Sequence, residues 1–203
     1  MAQRLKRDDR CRLFLKGNVV INAKDLSVLS PQLLSKGADA LFKSGDVDDA
    51  GKMFQRLMDL HATEFGNAAS VGLGSVALAR KKPEEALKLF NEVLANNPAS
   101  LETIEATLGK LQALLETSKL DEAMKLGLQS AEDKSFQGES TARIYLILGN
   151  VCEKKAGASA GDEAKAFLDQ ALGYYQRVRA AYASYPELCA EAARRIVEVK
   201  KKL

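Results

Sequence analysis

The stretch KPEEALKLFNEVLANNP, residues 82–98, has a proline near its start, another at its end and a helical pattern between them. Ala86, Phe90 and Val93 are spaced at i, i+4 and i+7, which places them on one face of a helix. Pro83 suits the first turn of a helix, and Pro98 cannot continue one. The stretch therefore predicts a helix, and it raises the question of whether the helix recurs along the chain.

The stretch VGLGSVALAR, residues 71–80, predicts a second helix immediately upstream. The same order of two helices recurs before and after this pair. Aligned alanines mark it at Ala50, Ala86 and Ala123, spaced by 36 and 37 residues, each after a short acidic stretch (DVDDA, KPEEA and KLDEA). A small residue lets two helices cross closely, and acidic side chains suit a helix N-terminus. The chain is therefore predicted to repeat a helical hairpin.

An aromatic side chain follows the alanine by four positions in the first two repeats, as Phe54 and Phe90. We expect these rings to fill the space between neighbouring hairpins. The third repeat has Gly127 at this position, so Leu126 or Leu128 is expected to supply the missing bulk.

These positions resemble the tetratricopeptide repeat, a helix-turn-helix unit. Residues 67–98 match its pattern best, 31–62 lack the closing proline, and 104–135 match more weakly. A fourth repeat begins at YLILGNVCEKK, residues 145–155, and about ten inserted residues precede its second helix. The resemblance covers roughly residues 30–185, and the last repeat is similar to those of bacterial proteins tied to the cell envelope.

The resemblance implies an all-α fold: a right-handed superhelical solenoid of antiparallel helix pairs, with about four repeats and a C-terminal capping helix. Residues 29–185 would hold the repeats. Residues 186–203 place apolar side chains on one helical face and charged ones on the other, as a closing helix requires. For residues 1–28 the sequence fits either a β-hairpin or a helix. We interpret them as an N-terminal cap or irregular segment.

Composition supports a globular helical chain, with 46% hydrophobic and 28% charged residues in 203. The two ends are basic, by +4 over residues 1–16 and +3 over 191–203, against a net charge of +3. The body is therefore mildly acidic, which argues against direct nucleic-acid binding. Three widely spaced cysteines predict no disulfide framework. Cys152 falls on an apolar stripe and is expected to be buried, whereas the single histidine, His61, is expected at the surface.

No motif predicts catalysis. GLGSVA, residues 72–77, formally fits a dinucleotide fingerprint, but it lies within a predicted helix rather than after a strand. The acidic pairs recur at one repeat position, which indicates helix starts rather than acid–base partners. The sequence thus predicts a non-enzyme that needs no cofactor and no metal.

In tetratricopeptide repeat proteins the first helices line a concave groove that usually receives a peptide or a partner helix. By this resemblance Ser35 and Asp39 occupy the places where members that clamp a C-terminal carboxylate have lysine and asparagine, so that mode of binding is not expected. An amphipathic segment docking by apolar anchors suits the mixed groove better. The predicted groove residues are Ser35, Asp39, Phe42, Val71, Ser75, Leu78, Leu108, Gln112, Leu115, Leu146, Asn150 and Glu153.

The predicted function is therefore a scaffold that binds a protein or peptide of unknown identity. Two alternatives stay open: a structural or self-associating section of a larger repeat protein, and, with less support, a nucleic-acid-linked regulator that uses the basic ends. The sequence contains no run of 18 apolar residues, so no transmembrane segment is predicted. The sequence as given shows no signal peptide, which predicts a cytoplasmic location, and a periplasmic or envelope location stays open if the chain is a fragment.

Overall fold

The fold was described from a computed structural model, which places residues 30–96 and 100–203. Within these ranges the chain forms helices and no strand, so the prediction of an all-helical repeat fold is confirmed. The conformation predicted for residues 1–28 lies outside the described residues. The helices are α1 Pro31–Lys43, α2 Val47–Ala79, α3 Pro83–Ala95, α4 Ser100–Glu116, α5 Leu120–Glu132, α6 Glu139–Ala158, α7 Gly161–Ala181 and α8 Pro186–Lys200.

The chain divides into two compact units, the first ending at Gly109 and the second beginning at Lys110, both within α4. In the first unit α1 packs on α2, and α2 packs on α3. In the second unit α5 packs on α6, α6 on α7, and α7 on α8. Consecutive helices in contact across a short turn form antiparallel pairs, as the repeat pattern predicts.

Prolines and acidic side chains start the helices as expected. Pro31, Pro83 and Pro186 each occupy the first turn of a helix. Their missing N–H costs nothing there, because the first amides of a helix have no partner within it. The side-chain oxygen of Ser30 also accepts a hydrogen bond from the Leu33 amide at 3.3 Å, which caps α1.

One turn geometry joins α1 to α2, α2 to α3, and α4 to α5. In each, a residue with positive φ follows the helix: Gly45 at 86°, Lys81 at 60° and Ser118 at 59°. The next amide donates to a carbonyl five residues back, from Asp46, Lys82 and Lys119 to Leu41, Ala77 and Leu114, at 2.9 Å in each case. This is the Schellman arrangement, which satisfies carbonyls at a helix end. The turns recur at the spacing of the aligned alanines.

Helix α2 joins the second helix of one repeat to the first helix of the next. The backbone leaves helical geometry only at His61, with φ −137° and ψ 33°. Pro98 follows the equivalent helix of the next repeat, whereas the matching position here is Ala62. Because alanine keeps its amide and can continue a helix, the missing proline produces a kink rather than a break.

In the first unit, aromatic rings lie flat against glycines. A Cβ atom added at Gly74 would stand 2.6 Å from the ring of Phe90, and one at Gly109 would stand 2.3 Å from the same ring. The ring of Phe54 covers Gly72 in the same way, at 2.3 Å. Each glycine removes the one atom that would keep a helix away from the ring, which explains the aromatic at this repeat position.

The third hairpin reverses this arrangement. A Cβ atom at Gly127 would stand 2.6 Å from Leu148 and 3.6 Å from Leu111, and both leucines are fully buried. The expectation that Leu126 or Leu128 supplies the bulk is therefore wrong. Leu128 is 42% exposed, because it lies on the outer face of α5. The first helices of the third and fourth repeats supply the bulk instead.

The fourth pair restores the glycine–aromatic contact, with Tyr175 over Gly149 at 2.3 Å. The two residues are 26 positions apart, against 16 for Gly74 and Phe90. The ten additional residues do not form a loop, since α6 ends at Ala158 and α7 begins at Gly161. The insertion therefore lengthens both helices of the pair.

Helix α8 buries one face, through Ala192, Ile196 and Val199. Leu203, the last residue of the segment predicted as the closing helix, lies beyond the end of α8 and is 44% exposed. Cys152 is fully buried, as predicted, and this burial raises the pKa of its thiol to about 11, although Lys155 opposes the shift.

Candidate functional site

Four of the predicted groove residues line one open cavity in the second unit. Gln112 and Leu115 come from α4, and Asn150 and Glu153 come from α6. The cavity has a volume of about 410 Å³, within the range of pockets that bind ligands. The other residues of its lining are Glu116, Lys154, Arg195 and Lys202. Five of these eight side chains carry a charge, three positive and two negative.

Glu153 is at the centre of the polar contacts of this cavity, with its side chain only 9% exposed. Its carboxylate accepts a hydrogen bond from Lys202 Nζ at 2.8 Å, and Arg195 lies 3.6 Å away. The Tyr175 hydroxyl stands 2.8 Å from both Glu153 Oε1 and Asn150 Oδ1. A hydroxyl has one proton, so it donates to one of these oxygens at a time. Cationic and neutral donors together make this buried carboxylate tolerable.

Tyr175 is fully buried, and its hydroxyl contacts two residues of the cavity lining, Asn150 and Glu153. Burial raises the pKa of its hydroxyl, and the hydrogen bond to Glu153 raises it further. The hydroxyl therefore keeps its proton at neutral pH and remains a donor. Because the Tyr175 ring also lies against Gly149, the contact that packs α7 on α6 orients the polar groups as well.

The C-terminal residues bring two cations to the cavity. Arg195 also contacts Glu191 at 3.0 Å and Glu198 at 3.5 Å along α8, and these contacts hold its side chain over Glu153. Hydrogen bonds from Arg194, and then from Arg195, lower the pKa of the Glu191 carboxyl, while partial burial opposes them. Glu191 thus stays ionised and orients Arg195.

Two more side chains of the cavity wall are held by their neighbours. Lys154 Nζ donates to the Leu115 carbonyl at 2.7 Å, and this bond ties α6 to α4 within the second unit. Gln112 Nε2 donates to Glu116 Oε1 at 2.9 Å, one turn further along α4. Both side chains keep other polar atoms with which to meet a ligand.

In the first unit, the predicted residues Ser35, Phe42, Val71, Ser75 and Leu78 are half-buried. Phe42 packs against the core of that unit. The Ser75 hydroxyl donates to the Val71 carbonyl at 3.0 Å, within its own helix. None of these residues lines a described cavity, so their place in a docking groove remains a prediction.

Asp39 is exposed on α1, yet its surroundings disfavour its charge. Partial burial raises the pKa of its carboxyl and Glu105 acts in the same direction, while Lys43 opposes both. Glu105, on α4 in the same unit, was not among the predicted groove residues. It lies near enough to Asp39 for the two charges to interact.

Three predicted groove residues belong to the core. Leu108 is 2% exposed, Leu115 is 6% exposed and Leu146 is 8% exposed. Their surfaces are occupied by the chain's own packing, so they offer a partner little area. Their assignment to a docking surface stays a prediction, and the polar side chains next to them are more accessible.

The sequence did not single out Lys154, Arg195, Lys202 or Tyr175 as neighbours of the cavity. Lys154 directly follows Glu153, and its basic charge beside predicted groove residues was a usable signal. Lys202 lies 49 residues from the carboxylate that it contacts, and no local pattern reports such a distance.

No group of ligating side chains that could hold a metal ion occurs in residues 30–96 and 100–203. Among the helices described for these residues, none has the length and hydropathy to cross a bilayer. The fingerprint-like GLGSVA lies inside α2, where Gly72 and Gly74 face phenylalanine rings. These glycines serve helix packing, as the sequence predicted.

Antiparallel helix pairs joined by recurring turns define the class of helical repeat proteins. Residues 36–100 match the family model of the tetratricopeptide repeat. This part of the chain therefore contains the tetratricopeptide repeat that its sequence resembles. No curated protein matches it. Repeats of this kind generally mediate protein–protein interaction, and the family is typically a non-catalytic scaffold.

Proposed function

We propose that the chain binds a peptide or partner helix along its first helices, and that the cavity around Gln112, Asn150 and Glu153 accepts a side chain of that partner. The observation that carries the proposal is the meeting of four predicted groove residues in one open cavity. Seven of the eight side chains that line the cavity are charged or carry an amide, and Leu115 is the exception. Such a lining suits a polar side chain of the partner better than a large apolar anchor.

Several polar groups at the cavity keep hydrogen-bonding capacity, which favours a docking surface with a few polar contacts. Lys154 and Lys202 are exposed and each has further N–H groups, so a partner can bind them without breaking Glu153 away from its donors. The Asn150 and Gln112 amides offer both donors and acceptors. We expect the partner to add hydrogen bonds at the rim of the cavity and to leave the buried Tyr175–Glu153 contact intact.

Site-specific photo-crosslinking in cells of the source organism tests the proposal. A benzoylphenylalanine at Gln112 faces the cavity, and one at Gln129, exposed on α5, is the matched control. We expect a discrete cross-linked partner at position 112 that is absent at 129. Equal products at both positions, or none at 112, would argue against this surface. A cross-link between two copies of the chain would support self-association instead.

Charge reversal then tests the cavity with the purified partner. We expect Lys154→Glu to weaken binding about tenfold, because it removes the N–H donors of Lys154 and reverses the charge at the cavity wall. Lys125→Glu, exposed on α5, should leave the dissociation constant unchanged. Circular dichroism should show the same helicity for both variants. Equal affinities would remove the cavity from the binding surface.

A further inference from the structure

Three tyrosine rings and one arginine meet where the beginning of α6 lies against the end of α7, in the second unit. The ring of Tyr145 stacks on that of Tyr174, with centroids 6.1 Å apart and planes at 20°. The ring of Tyr182 also lies 6.1 Å from that of Tyr145, tilted by 48°. The guanidinium of Arg177 lies over the face of Tyr145, 4.9 Å from its centroid. These four residues, the tyrosine–arginine patch, share none with the cavity around Glu153.

Packing of the helix pair accounts for only part of this patch. Tyr145 is 9% exposed and belongs to the core, whereas Tyr174 and Tyr182 are half-buried and Arg177 is exposed. The two outer tyrosines therefore keep part of their surface accessible to a partner. Tyrosine and arginine are among the residues that are enriched in protein interfaces and that carry much of their affinity. The patch thus has the composition of a contact surface.

Arg177 presents its positive charge to solvent. In the part of the chain that the structure describes, it makes no ion pair and no side-chain hydrogen bond. The Arg80 guanidinium, by contrast, pairs with a carboxylate at 2.7 Å. Residues 170–186 contain two arginines and no acidic residue. Burial raises the pKa of the Tyr174 and Tyr182 hydroxyls, although Arg177 opposes both shifts, so these phenols keep their protons and add no negative charge.

We propose that the tyrosine–arginine patch binds an acidic segment of a partner protein. An aspartate or glutamate side chain of the segment meets Arg177, and a neighbouring apolar side chain covers the rings of Tyr174 and Tyr182. A guanidinium can hold a carboxylate through two parallel N–H···O bonds. Because the Tyr145 ring already supports one face of the guanidinium, less side-chain freedom is lost on binding. This second contact surface stands independently of the cavity around Glu153.

Titration of the ¹⁵N-labelled full chain with the peptide acetyl-Gly-Glu-Leu-Glu-Gly-amide tests the patch. We expect saturable amide shifts confined to residues 141–146 and 174–185, with a dissociation constant in the millimolar range. The same peptide with glutamine in place of both glutamates should bind about fivefold more weakly, because a hydrogen bond to a charged group is the stronger one. Shifts concentrated around Gln112 and Lys154 would place the acidic peptide in the other cavity and overturn the proposal.

Variants distinguish this contact from a general attraction of anions to a basic surface. Arg177→Gln should weaken binding of the acidic peptide about two- to fivefold, as expected for one exposed ion pair, and Arg177→Lys should fall between it and the wild type. Arg179→Gln is the matched control. Arg179 is exposed on α7 two residues further on, where it does not face Arg177, and its loss should leave the affinity unchanged. Equal losses in the two glutamine variants, or no loss in Arg177→Gln, would overturn the proposal.

Discussion

In the second hairpin a rigid ring on the second helix, Phe90, lies between glycines of two first helices, whereas in the third hairpin the second helix carries the glycine. There Leu111 and Leu148 fill the space over Gly127. The helices approach closely in both cases, because one side of each contact lacks a Cβ atom. The space between neighbouring hairpins must therefore be filled by side chains of a given total volume, and these can come from either helix of a hairpin. The two arrangements differ in rigidity, since a leucine can change rotamer and a phenyl ring between two backbones cannot.

The largest effect is expected from removing the ring. Phe90 is fully buried, and its truncation leaves a cavity between three helices that cannot collapse easily. We expect Phe90→Ala to lower the free energy of unfolding by about 3–5 kcal/mol. Urea denaturation followed by circular dichroism measures this change. A loss below about 1 kcal/mol would show that the ring is not the centre of this packing.

Adding a methyl group should separate the rigid contact from the adaptable one. At Gly109 a Cβ atom meets the ring of Phe90, and at Gly127 it meets the end of Leu148. Overpacking costs about 1–3 kcal/mol, and alanine recovers up to about 1 kcal/mol of helix propensity. We therefore expect Gly109→Ala to be clearly destabilising and Gly127→Ala to be nearly neutral.

Gly173→Ala is the matched control for both variants. Gly173 lies in α7, and an added Cβ atom there meets nothing within 4 Å. It should gain about 0.5–1 kcal/mol of stability, because alanine loses less backbone entropy on folding. Equal destabilisation by the Gly109 and Gly127 variants would contradict the distinction between ring and leucine.

The sequence predicted the contacts that are local or that recur in each repeat, and it missed contacts between residues that are far apart in the chain. Helix starts depend on local chemistry, so prolines and acidic residues located them. The repeat spacing located Phe90 and its glycine, since these contacts recur. The alignment could not find the partner of Gly127. Leu148 lies on the first helix of the next repeat, whereas the aromatic side chain that it replaces lies on the second helix of each earlier hairpin. Likewise, the repeat alignment named Asn150 and Glu153 as groove positions, but the contact from Lys202 to Glu153 depends on where α8 packs.

The three recurring turns can be compared through the residue that has a positive φ in each. Gly45 has a positive φ without strain, whereas Lys81 and Ser118 adopt the same conformation with side chains. A left-handed residue with a Cβ atom costs about 1–2 kcal/mol, partly offset by the greater freedom of glycine when unfolded. We expect Lys81→Gly and Ser118→Gly each to gain about 0.5–1 kcal/mol. Gly45→Ala, with open space around the added Cβ atom, should lose about 1 kcal/mol.

The smallest effect is expected at Asp39, whose carboxylate lies near Glu105 in the first unit, whereas the Glu153 carboxylate of the second unit is paired with cations. Glu153 has cationic donors, whereas partial burial and Glu105 raise the pKa of Asp39 above its ordinary value of 3.8. A raised folded-state pKa means that ionising Asp39 costs stability above that pKa. The cost disappears as the pH falls through the folded-state pKa to below 3.8, where the folded and unfolded states are both protonated.

Asp39→Asn should therefore increase the free energy of unfolding at pH 7 by a few tenths of a kcal/mol, because solvent screens the exposed group. The gain should vanish at pH 3, where the wild-type carboxyl is already neutral. Urea denaturation at both pH values checks this, with Asp169→Asn, exposed on α7, as the control. A loss of stability at pH 7 would mean that the attraction of Lys43 outweighs burial and Glu105. In that case the face of α1 would favour a carboxylate at this position, and a basic side chain of a partner would have to displace Lys43 to reach it.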